Sequence, residues 1–442
     1  MKRLIWMSFA ALILGVTNLE AQAGFRDEIA ADYEANLREL FIHFHLNPEL
    51  SSLEVKTAAR LAAELRALGV EVTEGVGGTG IVGMLKNGEG PLVLVRADMD
   101  GLPVKENSGA EHQSEVMQVN TKGDEVPVMH ACGHDVHMTS LVGTARQLQA
   151  RRDRWSGTVM FVGQPAEETI SGARAMIQDN LYARFGVPDF ALAFHVGAGD
   201  PAGKVEVKGG PVYSSSDSVD IIVHGIGAHG ASPHKGKDPI YIASQIVIAL
   251  QGIVSRELSP LRPGVVTVGA FHSGSKHNII SDEAHLQLTV RSNDTETRDL
   301  LLSAIERIAL GVARTNGLPE DLLPDVIFSK VETTPPTVND IPLADRIGKA
   351  FLRELGPEWL HASNYEGMGA EDFAYFVNTE ERVPGCYFGV GGTLQSDLDA
   401  EAAGGRAVAS HHSPFFRIAP KPSIISGVQA MTVAVEELLG KR

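Results

Sequence analysis

Cysteine, positive charge and long apolar runs are all scarce in this chain, and each shortage excludes something. Of 442 residues only Cys132 and Cys386 are cysteine, so at most one disulfide is available. A bridge between them is not expected even in an oxidising compartment: Cys132 lies in a metal-binding pattern, and Cys386 opens an apolar stretch, Cys386-Tyr387-Phe388, that reads as a buried strand. Lys and Arg number 38 against 55 Asp and Glu, a formal net charge of −17. Such a surface repels phosphate backbones and offers no basic patch to anionic lipid, so nucleic acid is excluded as a partner. At the N-terminus the apolar run is Leu4 to Val16, short for a membrane span. Lys2 and Arg3 precede it and Ala21-Gln22-Ala23 follows, a small-x-small cleavage pattern before Gly24. Residues 1–23 therefore read as a secretory signal peptide, with an N-terminal anchor as the alternative. The expectation is a secreted, periplasmic chain with no membrane contact after cleavage. Internal repeats and low-complexity tracts are also lacking.

What is present is globular: 43% hydrophobic and 21% charged residues, in a length that implies two or three units. The densest chemistry lies in Met129-His130-Ala131-Cys132-Gly133-His134-Asp135-Val136-His137. Met138, Leu141, Val142, Ala145 and Leu148 then recur at helical spacing, which places this cluster in a loop feeding a helix N-terminus. A Cys-x-His pair on a tight Gly turn can aim a thiolate and an imidazole at one ion. A buried thiol beside surface histidines is the plainer alternative.

Other segments supply further candidates. Helices are expected over 27–44 and 51–68, with His43 and His45 as surface or cap histidines at the end of the first. Gly75-Val76-Gly77-Gly78-Thr79-Gly80 matches a dinucleotide fingerprint, but Ile81-Val82-Gly83-Met84-Leu85 continues as strand where that site needs a helix, so the segment is a hairpin connection. Residues 91–100 form a buried strand with Asp98 and Asp100 at its C-terminal end, where open α/β sheets place ligands; Asp98 either orients a ligand, binds metal or closes a turn. A second buried strand, 157–163, runs into Gln164-Pro165-Ala166-Glu167-Glu168. Adjacent acids on a regular strand face opposite ways, but at a strand end after Pro165 both can turn to one site, one holding metal and the other handling a proton. A third strand, 189–195, carries His195 at its end. Composition shifts at Gly209-Gly210-Pro211 and again at Glu332 to Thr337 bracket an insert over about 211–333. Its expected strand (218–224), helix (239–258), strand (265–273), strand (284–291), helix (294–316), strand (325–331) order is ferredoxin-like. The 239–258 helix is apolar over much of its surface, which suggests a subunit contact. His229, between Gly227-Ala228 and Gly230, could approach a substrate closely. A helix over 343–355, a strand over 386–390 and a last helix over 423–439 complete the core.

In order, Arg96-Ala97-Asp98-Met99-Asp100, Cys132-Gly133-His134-Asp135, Gln164-Pro165-Ala166-Glu167-Glu168, His195, Ala228-His229-Gly230, Glu371-Asp372-Phe373 and His412-Ser413-Pro414 resemble the bacterial and plant amidohydrolases that include hippurate hydrolase, N-acyl-amino-acid amidohydrolases and auxin–amino-acid conjugate hydrolases, a branch of the aminoacylase–carboxypeptidase metallopeptidase family. The resemblance covers nearly the whole chain after residue 23. It implies an α/β fold: a zinc-exopeptidase-like three-layer catalytic domain (24–210 and 334–442) with an inserted ferredoxin-like α+β dimerisation or lid domain (211–333). It implies that Cys132, His134, Glu168, His195 and His412 bind one or two divalent ions per subunit (Zn2+, Mn2+ or Co2+), with Glu167 as general acid/base. His229 would reach the substrate, and Asn278 and Arg291 fall where related enzymes contact it. His411 beside His412 leaves two registers, of which the residue directly before Ser-Pro matches better. The implied reaction splits the amide of an N-acyl (acetyl or aromatic acyl) amino acid into a carboxylic acid and a free amino acid, in a homodimer formed through the insert. A dipeptidase or carboxypeptidase of the same fold is the nearer alternative. A non-catalytic periplasmic metal- or peptide-binding protein is the remote one, which has no use for a second acid beside a ligand. Val136, where many relatives carry a small residue, and the absence of an acidic pair around Arg417-Ile418-Ala419 bear on substrate preference rather than on the metal site.

Overall fold

The structure is a computed structural model in which residues 24–362 and 367–441 are described. The expected signal peptide, 1–23, lies outside the described residues.

Two compact units divide the chain: one runs through Gly210 and resumes at Asn339 and again at Tyr375, and the other comprises Pro211–Val338 and Gly367–Ala374. The second unit thus starts at Pro211 but returns at Val338 rather than 333, and it takes in the Glu371-Asp372-Phe373 motif, whose Glu371 carbonyl accepts the Thr337 hydroxyl at 3.1 Å.

In the first unit the elements that position the site are α1 (Arg38–Leu46), α2 (Val55–Ala67), β1 (Glu71–Val76), β2 (Gly80–Asn87), β3 (Leu92–Asp98), α3 (His134–Ala150), β4 (Gly157–Gln164), β5 (Phe190–Pro201) and β6 (Val205–Glu206). The insert follows with β7 (Ser216–His224), α4 (Pro239–Gly252), β8 (Gly264–Ser273), β9 (Glu283–Ser292), α5 (Thr295–Thr315) and β10 (Asp325–Thr334). The chain returns through α6 (Ile341–Glu354), β11 (Gly385–Thr393) and α7 (Pro420–Leu439).

The large sheet has the order β1-β2-β4-β3-β5-β11-β6. β4, β3, β5 and β11 are mutually parallel and form its centre, and the antiparallel β1-β2 pair and β6 form its edges. A parallel centre must be covered on both faces, and its strands are accordingly apolar throughout. In β3 Val93, Leu94, Val95 and Ala97 are buried, as are Val159, Met160, Phe161 and Val162 in β4. The helical spacing after the Cys-x-His cluster is realised in α3, whose Met138, Leu141, Val142, Ala145 and Leu148 are all buried. α3 packs on α7 at close range: a Cβ on Gly143 would lie 2.4 Å from Val428 Cγ2.

Among the boundaries that differ from expectation are those of α2 and β5. α2 begins at Val55, not Ser51, because Glu49 Oε2 accepts the Lys56 and Thr57 amides at 2.8 Å and so caps the first turn from outside the helix. β5 does not end at His195 but runs on to Pro201. Its partner β3 pairs with it only as far as Arg96 opposite Ala193, but β11 continues beside it, with His195 opposite Gly389 and Gly197 opposite Gly391. His195 therefore sits on an overhang, past the end of one neighbour and supported by the other.

The insert is a four-stranded antiparallel sheet, order β8-β9-β7-β10, with α4 and α5 packed on β9. The expected strand-helix-strand-strand-helix-strand order is present. Asp238 caps α4 ahead of Pro239, and Asp294 caps α5 through the Thr297 amide at 2.7 Å. Val219, Ile221, Ile246, Leu286, Leu288 and Ile305 form its core.

Candidate metal centre

Five side chains named from the sequence converge at the C-terminal edge of the parallel strands. Cys132 Sγ lies 3.5 Å from His195 Nε2. His134 Nε2 lies 3.8 Å from Glu168 Oε1 and 4.0 Å from Glu167 Oε2. His412 Nε2 lies 3.3 Å from Glu168 Oε2. Cys132, Glu168 and His412 offer donor atoms all within 4.8 Å of one another, as do Cys132, His134 and His195, so the two groups share Cys132.

Local backbone chemistry makes this possible. Gly133 adopts φ +87°, and a Cβ there would lie 2.4 Å from Val196 Cγ1, so only glycine lets the Cys-x-His turn sit against β5. Glu167 and Glu168 both turn toward the site because the Asp100 carboxylate accepts their two amides, at 3.2 and 3.0 Å. Glu54 accepts the Ala166 amide at 2.8 Å, and Ala166 has φ +50°. His412 has φ +65° and donates its amide to the Ala131 carbonyl at 2.8 Å. Positive φ at non-glycine residues on both loops marks backbone strained to meet one point.

The histidines are oriented by their other ring nitrogens. His134 Nδ1 donates to the Asp100 carbonyl at 2.8 Å and His195 Nδ1 to the Val196 carbonyl at 2.9 Å, which leaves each Nε2 as a lone pair facing the cluster. His134 Nε2 and Glu168 Oε1 are buried and have no hydrogen-bond partner among the described residues. Separations of 3.3 to 4.0 Å are at or beyond hydrogen-bond reach. They suit donors arranged around an ion with bonds of about 2.0–2.3 Å, whose tetrahedral edges are roughly 3.3–3.8 Å. The donor set of thiolate, imidazole and carboxylate therefore fits a divalent cation.

Electrostatics point the same way. Burial raises Glu168 to about 7, with Asp100 adding to the rise against His134. Burial also pushes the Cys132 thiol well above its usual range, with Glu168 and Glu167 adding to it. Burial would lower His134, but Asp98 and Asp100 outweigh it and hold the ring at about 10. Burial drives His195 far below the ordinary histidine range. Concentrated carboxylates draw positive charge to one lone pair, for which a proton and a metal ion compete.

The sequence left the role of Asp98 open and gave Asp100 none. Asp98 touches Arg96 Nη1 at 2.7 Å and His137 Nδ1 at 2.6 Å, and Asp100 is the anchor of the Glu-Glu loop. His411 points elsewhere than His412, to the Val196 carbonyl at 2.9 Å. His45, read as a surface or cap histidine, instead bridges Asp135 at 2.7 Å and Glu106 at 3.3 Å. Cys132 and Cys386 are both free thiols. His229, Asn278 and Arg291 lie in the insert: His229 on the short strand Ala228–His229, with Gly230 donating to the Asn278 carbonyl at 2.9 Å, and Arg291 on β9.

The family model for peptidase family M20/M25/M40 matches residues 94–434. The chain belongs to this family. It is 37% identical to a hippurate hydrolase of Campylobacter jejuni over 354 residues, 79% of this chain and 87% of that one. It is 38% identical to thermostable carboxypeptidase 2 of Saccharolobus solfataricus over 351 residues, 78% of this chain and 83% of that one. The YxeP protein of Bacillus subtilis, described as a dinuclear metal-binding peptidase, superposes with a TM-score of 0.72 at 27% identity, over 92% of this chain and 99% of that one. Like other M20 members, the chain is a metal-dependent hydrolase of amide bonds.

Proposed function

We propose that this M20 hydrolase cleaves the amide of N-acyl amino acids, with acetyl or aromatic acyl groups, giving a carboxylic acid and a free amino acid. The observation that carries the reading is the pairing of Glu167 with Glu168 on one anchored loop beside Cys132, His134, His195 and His412: one acid would join those four as a cation ligand, and its neighbour would do the proton work. One or two divalent ions, Zn2+, Mn2+ or Co2+, held by those five residues would polarise the amide carbonyl and acidify water. Glu167 takes the proton of the attacking water on a carboxylate oxygen and returns it to the leaving amine nitrogen. His229 accepts the Ala231 amide on Nδ1 at 3.0 Å, so its Nε2 carries the proton and is ready to donate to a developing oxyanion. Asn278 and Arg291 are the proposed contacts for the substrate's amino-acid part.

The insert is the proposed homodimer surface. Ile240, Tyr241 and Ile248 on α4 are exposed, Ile248 at 73%, while Ile242, Ala243, Ile246 and Leu250 of the same helix are buried in the insert core. An exposed apolar face of this kind suits a second copy. Secretion to the periplasm rests on the N-terminal pattern alone.

The identity to a carboxypeptidase supports a second reading, dipeptide or C-terminal peptide cleavage. A panel of N-acetyl, N-benzoyl and dipeptide substrates on metal-reconstituted protein separates the two. Turnover of acyl amino acids at least tenfold faster than of dipeptides supports the proposal, and the reverse order replaces it.

A further inference from the structure

The turn Gly77-Gly78-Thr79, part of the segment whose sequence matches a dinucleotide fingerprint, joins β1 to β2. It packs against the short helix Gly172–Gln178 that follows the Glu167-Glu168 loop: Gly77 has φ +65°, and a Cβ there would lie 2.5 Å from the Met176 amide nitrogen. The Gly77 amide donates to Asp179 Oδ2 at 3.1 Å, just past that helix. Held on this side, the turn sends the Thr79 hydroxyl to Glu54 Oε2.

Glu54 is completely buried, yet it belongs to none of the groups of candidate cation donors. A carboxylate in such a place persists only where hydrogen bonds satisfy it. Its Oε1 accepts the Ser52 amide and the Ala166 amide, both at 2.8 Å, and its Oε2 accepts the Thr79 hydroxyl. Three residues earlier the Ser51 hydroxyl donates to Asp100 Oδ2 at 2.6 Å. Ser51 to Glu54 were expected to open α2. They stay outside it, and Ser52 has φ +65°. The segment serves instead to set two carboxylate supports beneath one loop.

The supports act on consecutive peptide groups. Glu54 takes the amide of Ala166, and Asp100 takes those of Glu167 and Glu168. Fixing the peptide on either side of the Ala166 Cα sets the rotation at that residue, and its φ of +50° is one that alanine rarely adopts unaided. Glu167 comes next in the chain, so its side chain takes its direction from this pinned backbone.

We propose that Glu54, steadied by Thr79, is a positioning residue for amide hydrolysis: through the Ala166 amide it holds Glu167 at the angle from which its carboxylate serves the reacting water. The glycine-rich turn is then the far support of the acid loop. The inference rests on the reading of Glu167 as the proton-transferring acid.

The test uses metal-loaded full-length protein and the fastest substrate of the panel of N-acetyl, N-benzoyl and dipeptide compounds. Glu54→Leu keeps the bulk and removes the acceptor. Its kcat should fall by about 10²-fold, the cost of a displacement of about 1 Å at a reacting group, with KM and metal per chain within roughly twofold of wild type. Glu54→Gln should restore most of the rate, because its amide oxygen still accepts from Ala166 and its NH2 donates to the Thr79 hydroxyl. Thr79→Val should lose rate in the same direction, and Thr79→Ser should recover it. The deciding measurement is a double-mutant cycle: in a Glu167→Gln background Glu54→Leu should cost less than about threefold more, since the group it positions is already disabled. Should Glu54→Leu fail to fold, Thr79→Val takes its place in the cycle. An equal cost in both backgrounds, metal lost in step with kcat, or wild-type rates in both Glu54→Leu and Thr79→Val would each overturn the positioning role alone. Wild-type turnover by Glu167→Gln would overturn the acid assignment and this inference with it.

Discussion

The carboxylate of Asp98 and the imidazole of His137 meet at 2.6 Å inside the core, on β3 and on the first turn of α3. The far nitrogen of the same ring accepts the Val196 amide at 2.9 Å, so the Nδ1 proton points to Asp98. One buried ring thus clamps the helix that begins at His134, two residues after Cys132, to the strand that carries His195. Replacing His137 with Ala should lower metal affinity by about 10–100-fold without removing any ligand. Equilibrium dialysis with elemental analysis checks this; unchanged affinity shows that the two elements hold their spacing unaided.

Glu167→Gln should keep its metal and lose roughly 10²–10⁴-fold in turnover, since the amide cannot accept a proton. Steady-state kinetics on protein of verified metal content is the measurement. Turnover near the wild-type rate would assign the proton transfer to another group.

Cys132→Ala should reduce the bound metal, because two of the donor groups share this sulfur. The readout is metal per chain after gel filtration. A full complement of metal would take Cys132 out of the ligand set.

His45 links Asp135 and Glu106 and ties α1 to the cluster loop. Burial alone would lower its pKa, but the two carboxylates raise it to about 10. A raised histidine stabilises the fold fully below its unfolded pKa, about 6.5. That contribution should fade as pH rises from about 6.5 to 10. Glu106, held below its usual range against the opposing effect of burial, acts in the opposite direction: its contribution is lost as pH falls below the ordinary carboxylate range. His45→Ala should cost about 3–5 kcal/mol, because it strands two acids inside. Denaturant melts of both proteins at pH 6, 8 and 10 test this, with the gap between them narrowing as pH rises.

Ile248→Asp and Tyr241→Asp should leave the insert folded and turn a dimer into monomers, as read by light scattering. A wild-type chain that is monomeric at all concentrations would dispose of the proposed subunit contact.

How much of this was legible depends on how local each signal is. The buried parallel strands, the helix after Cys132 and the order of elements in the insert follow from apolar periodicity, which acts over a few residues. The Cys132-x-His134 pattern was legible because its residue types are chemically rare together, whereas Glu168, His195 and His412 joined the expected ligand set through the family resemblance. Residues whose role is set by distant partners were not legible. Asp100 earns its place by gripping amides 67 and 68 residues away, and no pattern in the sequence around it announces that. His45 looked like a helix-end histidine, since Asp135 and Glu106 reach it only through folding. The end of β5 was misplaced because β11, almost two hundred residues later, decides how far it extends. The short helix Gln395–Ala402 carries no buried face and so left no apolar stripe to read.

The double grip of Asp100 has a consequence for how such a catalyst can change. The acid proposed to move protons and the acid proposed to hold the cation hang from consecutive links of one chain, both tied to the same post. Neither can drift without dragging the other. Improvement of this enzyme by substitution is therefore expected to come from the walls around the reacting bond, while the paired acids travel through evolution as a single component.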